Sequence, residues 1–137
     1  MNSFNFTGRR ALVADDIPVN LEIAKWNLEQ VGFKVDCAPD GKAALDMFTS
    51  SRSGTYSIII MDIRMPVMDG YDAARHIRAS SHPDAAVIPI MALSADATPY
   101  DAQKTLDCGM NAHVSKPLIV ETFQDTLYRL ICEYESR

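Results

Sequence analysis

The sequence predicts an α/β domain built on one parallel sheet with helices on both faces. Five short apolar segments alternate with five segments of helical period along the 137 residues. The run Ser57–Met61 is almost continuously apolar, which is typical of a central strand covered on both sides. The length and the 47% hydrophobic content suit one domain without disulfides or a structural metal. We therefore expect a five-stranded, doubly wound sheet with right-handed crossovers and five helices.

The first strand and helix occupy the N-terminal part of the chain. Arg10–Ala14 is predicted as the first strand, and Pro18 suits the first turn of the helix that follows it. Apolar residues then recur at spacings of three and four and define a buried face: Leu21, Ala24, Leu28 and Val31. Gly32 is the predicted stop signal.

Trp26 lies slightly off this face of the first helix, beside Val19 and Ile23. We expect it to widen the buried face of the helix. Contact with a partner protein is the alternative that we keep open.

The second unit begins with the strand Lys34–Ala38, in which Val35 and Cys37 are predicted to point inward. Asp40 and Gly41 open the second helix, whose predicted buried residues are Ala44, Leu45 and Phe48. The three cysteines of the chain have no CxxC spacing, which argues against a disulfide framework and a zinc site.

The third unit contains the central strand Ser57–Met61, which ends abruptly at Asp62. A loop through Pro66 leads to Asp69, a good N-cap for a third helix that is predicted to run to about Ser80. Asp72 in the first turn also favours this helix, because a carboxylate there complements the helix dipole.

The last two units complete the predicted sheet. Val87–Leu93 is the fourth strand, and its ladder should begin at Ile90 because Pro89 has no N–H to donate. A weakly amphipathic helix, about Tyr100–Cys108, ends at Gly109, and Ala112–Ser115 is the short fifth strand. The final helix is defined by Val120, Phe123, Leu127, Leu130 and Tyr134.

Reactive side chains follow four of these strands: Asp15 with Asp16, then Asp62, Ser94 and Lys116. In isolation each is explained by a cap, a turn or a solvated charge. Together they should meet at the carboxyl edge of the sheet, where three carboxylates repel one another unless a cation compensates them.

Magnesium fits this donor set, because it takes one or two carboxylates directly, retains waters and accepts a phosphate oxygen. Lys116 can pair with Asp62 or a phosphoryl oxygen, and such a carboxylate can attack phosphorus.

Four motifs at these strand ends resemble those of the receiver domains of bacterial-type two-component signalling. They are the pair Asp15-Asp16, the segment MDIRMPVMDG at 61–70, the run ALSA at 92–95 and the step SKP at 115–117. The resemblance covers about Arg9 to Glu133 and implies a flavodoxin-like sheet in the order 2-1-3-4-5. It divides the chain into an N-terminal tail, 1–8, and a receiver domain, 9–135.

The resemblance implies that Asp62 is the phosphoacceptor and that Lys116 contacts the phosphoryl group. It further implies that Asp15 and Asp16 hold Mg²⁺ together with Asp62 and the backbone carbonyl of Arg64. Pro117 would follow a cis peptide bond that aims the lysine into the site, a geometry accessible to X–Pro bonds.

The remaining implied residues concern switching and the lifetime of the phosphoryl group. Ser94 is the implied switch hydroxyl, with Ala95 next to it. His113 stands where receivers usually carry Tyr or Phe, so it either swings inward with Ser94 or is an exposed edge-strand histidine. Arg64 and Asp96 either form a charged pair that controls the attacking water or are two solvated loop residues.

The implied function is a signalling switch rather than an enzyme, with self-phosphorylation and autodephosphorylation chemistry. Its partners would be a histidine kinase, a histidine phosphotransfer domain or both. The segment DDIPVN with Asn20 looks like receivers of hybrid histidine kinases, although a free-standing receiver remains open. Monomers and phosphorylation-dependent dimers are both compatible with the sequence.

The net charge of −5 argues against direct binding to nucleic acid or an anionic membrane surface. No apolar run approaches the length of a membrane span, and the start of the chain is unlike a signal peptide, so we expect a cytoplasmic protein.

Three alternatives remain. A haloacid-dehalogenase-type phosphohydrolase also forms an aspartyl phosphate, but its nucleophile follows the first strand in a DxD pattern, where this chain has DDIP. A nucleotide or flavin module would need a glycine-rich first turn, which is absent. A pseudo-receiver binds partners without phosphorylation but typically lacks the acid pair, the acceptor or the lysine.

Overall fold

Strands and helices alternate along the part of the chain that the computed structural model describes, which is residues 5–94, 99–116 and 118–136. The described elements are β1 Arg10–Ala14, α1 Pro18–Gln30, β2 Lys34–Ala38, α2 Gly41–Thr49, β3 Ile58–Asp62, α3 Gly70–Ala79, β4 Ile90–Ser94, α4 Pro99–Asp107, β5 Ala112–Ser115 and α5 Val120–Glu135. The predicted alternation is confirmed. The ladder of β4 begins at Ile90, as the missing N–H of Pro89 requires.

The strands form one parallel sheet in the order β2-β1-β3-β4-β5, so the expected order is confirmed. β1 pairs with both β2 and β3, and this is the place where the strand order reverses. In doubly wound sheets the crevice outside such a switch point is the usual ligand site. The fold therefore predicts a functional site among the residues that follow β1 and β3.

Two apolar layers cover the sheet, one on each face. Ile59 and Met61 of β3 pack with residues of α2 and α3, whereas Ile58 and Ile60 pack with residues of α1 and α5. All five residues of β3 are buried. The continuous apolar run was thus a correct sign of a strand covered on both faces, although the strand lies one residue later than predicted and includes Asp62.

Helix α1 corrects one prediction from the sequence. Trp26, Val19 and Ile23 do not widen its buried face, because their exposed fractions are 58%, 56% and 47%. The helix rests on the sheet through Ala24 and Leu28, and the other three residues follow each other at spacings of four and three on a stripe turned toward solvent.

Strand β2 corrects a second prediction. Cys37 is exposed rather than inward-pointing, whereas Val35 packs partly against the core. Because β2 is an edge strand, its faces are covered less completely than those of β3.

The two ends of the described chain meet on the α1 and α5 side of the sheet. Phe6 is buried and stacks on Phe33 with ring centroids 4.9 Å apart. The Arg9 guanidinium donates two hydrogen bonds to Glu135, at 2.5 and 2.6 Å. The predicted boundary between a tail and a domain at residue 9 stays a prediction.

None of the described helices combines the length and the hydropathy that crossing a membrane would require.

Candidate functional site

Three carboxylates meet at the carboxyl edge of the sheet. Asp15 follows β1 directly, Asp16 is its neighbour, and Asp62 is the last residue of β3. Each offers one oxygen to a cluster in which all oxygens lie within 4.8 Å of one another. Asp15 and Asp62 are only 2% and 5% exposed, whereas Asp16 is exposed. Two negative charges are therefore buried side by side, with a third at the opening.

Lys116 lies between the two buried carboxylates. Its Nζ is 3.0 Å from Asp15 Oδ2 and 3.3 Å from Asp62 Oδ2. The backbone N–H of Lys116 donates to the Ser94 carbonyl at 2.8 Å, which fixes the end of β5 beside the end of β4. The sequence anticipated the contact with Asp62 but not the shorter one with Asp15.

The protonation of the cluster reflects burial and these contacts. Burial raises the pKa of Asp62, the charge of Lys116 opposes this shift, and the charge of Asp15 adds to it, so that the net pKa lies above its ordinary value. For Lys116 burial disfavours the charged form, but the hydrogen bond to Asp15 and the charge of Asp62 outweigh it, and its pKa is raised. The raised pKa of Lys116 favours its charged form, whereas the raised pKa of Asp62 disfavours its ionised form.

The loop after β3 is held close to Asp62 by two contacts. The N–H of Arg64 lies 3.4 Å from Asp62 Oδ1, and the Gly70 N–H donates to the Ile63 carbonyl at 2.8 Å. A Cβ on Gly70 would lie 2.5 Å from the Asp62 backbone oxygen, so only glycine permits this approach of α3 to β3. Asp69 caps α3 by accepting from the Asp72 N–H at 2.8 Å, which confirms the predicted N-cap.

The donor set suits a hard divalent cation. Carboxylate oxygens from two strand ends face one another, one of them open to water, and Mg²⁺ favours a few protein oxygens with retained waters. Lys116 partly compensates the two buried charges. The residues present therefore fit Mg²⁺.

Ser94 and His113 lie on the strands next to this cluster. Ser94 ends β4, is buried and pairs in register with Ser115. His113 pairs with Ala92, and its Nε2 is buried with no hydrogen-bond partner among the described residues. The remaining residues implied by the sequence, Ala95, Asp96 and Pro117, lie outside the described residues.

Two cavities border the cluster. A polar cleft of about 510 Å³ includes Asp16, Arg64, Tyr71 and Lys104 in its lining. A smaller cavity of about 260 Å³ is bordered by Asp15 and Lys116 together with apolar side chains.

The contact between α3 and α4 in the polar cleft was not anticipated. Lys104 Nζ lies 4.5 Å from the centroid of the Tyr71 ring, and the Tyr71 hydroxyl is 3.4 Å from Asp101 Oδ1. Burial, followed by the charge of Asp101, raises the pKa of Tyr71. Such a contact joins two helices far apart in sequence, and no pattern within either helix indicates it.

The sequence of this chain is similar to that of a known protein family. A family model described as the response regulator receiver domain matches residues 11–128. The Dictyostelium discoideum protein Hybrid signal transduction histidine kinase I is 34% identical over 128 residues, which are 92% of this chain and 7% of that protein. The Escherichia coli Sensor protein EvgS is 35% identical over 119 residues, which are 87% of this chain and 9% of that protein. The chain thus spans less than a tenth of the length of these two relatives.

Solved structures show the same relationship. The receiver domain of the sensor histidine kinase PA1611 from Pseudomonas aeruginosa, with magnesium coordinated in its active-site cleft, is 36% identical with a TM-score of 0.81, over 91% of this chain and 98% of that one. The chemotaxis protein CheY4 of Vibrio cholerae is 29% identical with the same TM-score, over 89% of this chain and 98% of that one. With the family match over most of its length, this chain belongs to the response regulator receiver domain family.

Proposed function

We propose that this domain is a phosphoacceptor switch that receives a phosphoryl group from a phosphohistidine onto Asp62. The observation that carries the proposal is the position of Lys116, which contacts both buried carboxylates of a three-carboxylate cluster at the switch point of the sheet. A carboxylate beside a fixed cation and two further metal-binding carboxylates is equipped to attack a phosphorus atom.

In the transfer, a carboxylate oxygen of Asp62 forms a bond to phosphorus while the bond from phosphorus to the imidazole nitrogen breaks. The electron pair of that bond stays on the imidazole nitrogen. Lys116, already 3.3 Å from Asp62, pairs with a phosphoryl oxygen as negative charge develops there. The carboxylate is held in place by β3, so positioning and charge compensation are the contributions of the chain.

Mg²⁺ would be held by Asp15, Asp16, Asp62 and the backbone carbonyl of Arg64. When bound, the ion neutralises charge on the phosphoryl oxygens. The magnesium in the active-site cleft of the PA1611 receiver, a 36% identical relative, supports this assignment.

The response is expected at the surface formed by α4, β5 and α5. Thr105 is the one buried residue within α4, so little apolar packing opposes a shift of this helix. Ser94 would move toward the phosphoryl group with Ala95, and His113, which is half-buried and whose Nε2 has no partner among the described residues, would move further inward with it. Arg64 and Asp96 would control the water that removes the phosphoryl group, and Pro117 would direct Lys116.

The phosphodonor would be a histidine kinase, a histidine phosphotransfer domain or both, acting in the cytoplasm. The curated relatives named above support this class of partner because one is a hybrid histidine kinase. The domain would work within such a kinase or as a free-standing receiver, without binding nucleic acid directly. Both a monomer and a phosphorylation-dependent dimer fit this role.

The test is the intact mass of the protein after incubation with acetyl phosphate, with and without Mg²⁺. We expect a magnesium-dependent gain of one phosphoryl group that is lost in Asp62→Asn and kept in the control Asp125→Asn, an exposed carboxylate on α5.

Two other outcomes would contradict the proposal. Turnover of a small phosphoester that is abolished by Asp15→Asn but not by Asp62→Asn would indicate a phosphohydrolase. No mass gain from acetyl phosphate or from a phosphohistidine donor would indicate a pseudo-receiver.

A further inference from the structure

Helix α3 contacts α4 through Tyr71, which lies in the first turn of α3. The Tyr71 hydroxyl is 3.4 Å from Asp101 Oδ1, and Lys104 Nζ is 4.5 Å from the centroid of the Tyr71 ring. We call these two interactions together the Tyr71 contact. The first distance is at the long end of the range for a hydrogen bond, and a cation over a tyrosine ring is a modest attraction. A small movement of α4 is therefore enough to break the Tyr71 contact.

Arg78 in the last turn of α3 binds the turn that follows α4 much more firmly. Its Nε donates to the Gly109 carbonyl at 2.9 Å, one terminal nitrogen donates to the Ala85 carbonyl at 2.9 Å, and the other donates to Asn111 Oδ1 at 2.8 Å. Gly109 has φ of 95°, and a Cβ there would lie 2.9 Å from Arg78 Cγ, so the arginine side chain lies directly against this turn. The C-terminal end of α4 is thus fixed to α3.

Movement of α4 should therefore begin at its N-terminal end. β4 ends at Ser94 and α4 begins at Pro99, so a shift of Ser94 toward the phosphoryl group acts first on that end of the helix. Thr105 is the one buried residue of α4, so apolar packing offers little resistance. With its far end held by Arg78, the helix would pivot away from Tyr71, which is 5% exposed and belongs to the core.

We propose that Tyr71 is a positioning residue for the phosphorylation of Asp62, because its contact with α4 stabilises the resting position of that helix. The inference rests on the proposed function and deepens it, since it assigns a residue that regulates the same site. Lys116 contacts Asp15 and Asp62 in this structure, which is the arrangement before a phosphoryl group arrives. The Tyr71 contact is part of this resting arrangement.

The effect of the Tyr71 contact on the acid cluster follows from thermodynamic linkage. A contact made only in the resting state lowers the free energy of that state, and it therefore weakens the binding of any ligand that favours the other state. While the resting state is the more populated one, loss of the contact strengthens such binding by the factor by which the contact favoured rest. A residue that only maintained the fold would have the opposite effect, because damage to the site weakens binding.

The experiment measures the dissociation constant of beryllofluoride in the presence of Mg²⁺ by isothermal titration calorimetry. Beryllofluoride coordinates a carboxylate oxygen and has the tetrahedral shape of a phosphoryl group. It therefore gives an equilibrium constant at Asp62 rather than a rate, and the linkage argument applies to equilibrium binding.

Tyr71→Phe removes the hydroxyl but keeps the buried ring and its interaction with Lys104, so this variant should fold as the wild type does. We expect it to lower the dissociation constant about threefold, as the loss of one hydrogen bond predicts. Tyr71→Leu removes the ring as well and should lower the constant by about tenfold. The control Tyr100→Phe removes the hydroxyl of a tyrosine on α4 that is 72% exposed, and it should leave the constant unchanged.

An unchanged dissociation constant in both Tyr71 variants would overturn the inference, because the contact would then be equally strong in both positions of α4. Weaker binding in both variants would also overturn it and would mean that Tyr71 supports the site itself. In either case, magnesium-dependent phosphorylation of the wild type by acetyl phosphate would leave the proposed function standing. A wild type that neither binds beryllofluoride nor gains a phosphoryl group would remove the proposed function, and the inference with it.

Discussion

Val67 illustrates strain at the scale of a single residue. It lies in the loop between β3 and α3 with φ of 70°, in the left-handed region that β-branched side chains rarely adopt. The Met68 N–H donates to the Pro66 carbonyl at 2.7 Å, which closes a γ-turn around it. Because Val67 is 83% exposed, almost no packing offsets this strain.

Val67→Asn should therefore raise the free energy of unfolding. Asparagine tolerates the left-handed region better, and the expected gain is about 1 kcal/mol, measured by urea denaturation. Val67→Ile, which is equally β-branched, should give no gain. Equal stabilities of the wild type and both variants would show that the turn is not strained.

Some features of individual residues could be predicted from the sequence, and others could not. The side chains that follow strand ends could be placed together, because strand ends meet at one edge of a parallel sheet whatever the details of packing. The contact of Lys116 with Asp15 could not be predicted, because ångström-scale geometry decides whether the lysine reaches one acid or both. The buried Nε2 of His113, which has no hydrogen-bond partner among the described residues, could not be predicted either, because it depends on the packing around β5.

At the scale of elements, hydrophobic period located the described strands and helices and the buried face of α1, but it overestimated the width of that face. Trp26 and Ile23 continue the apolar pattern of α1, yet they face solvent because Ala24 and Leu28 occupy the contact with the sheet. Ile23 of this exposed stripe also borders the cavity beside Asp15 and Lys116.

The packing of α3 against β3 gives a test at this scale. In an exposed helix, Gly→Ala is favourable by about 1 kcal/mol, but a Cβ on Gly70 would lie 2.5 Å from the Asp62 backbone oxygen. We expect Gly70→Ala to lower the free energy of unfolding by about 1–3 kcal/mol, as overpacking does, and to slow phosphorylation by acetyl phosphate because it displaces Asp62.

Urea denaturation and intact mass, followed over time, measure the two effects. A gain in stability in Gly70→Ala would show that helix propensity dominates and that α3 can withdraw from β3 without cost.

At the scale of the whole molecule, the ion pair of Arg9 with Glu135 joins the two ends of the described chain. The hydrogen bond from Arg9 lowers the pKa of Glu135 below its ordinary value of 4.5, although burial opposes this shift. A lowered pKa in the folded state means that the pair stabilises the fold above the unfolded value and loses this effect as the pH falls through the folded pKa.

Glu135→Gln should therefore be slightly less stable than the wild type at pH 7 and equally stable at a pH below the folded pKa of Glu135. Thermal denaturation across this pH range measures the difference, which added salt should reduce because both side chains are partly exposed. In the background of Arg9→Gln, Glu135→Gln should make little difference at any pH in this range, because the partner charge is already absent. A constant difference at every pH would mean that the charge of Glu135 is not the cause.

The contact between Asp15 and Lys116 joins residues 101 positions apart and depends on the last strand of the sheet. During synthesis, a nascent chain that has released only β1 to β4 carries all three carboxylates but no lysine to compensate the two that become buried. The cluster is therefore least favourable in incomplete chains and complete only after β5 has docked. Assembly of the site and completion of folding are in this way one event.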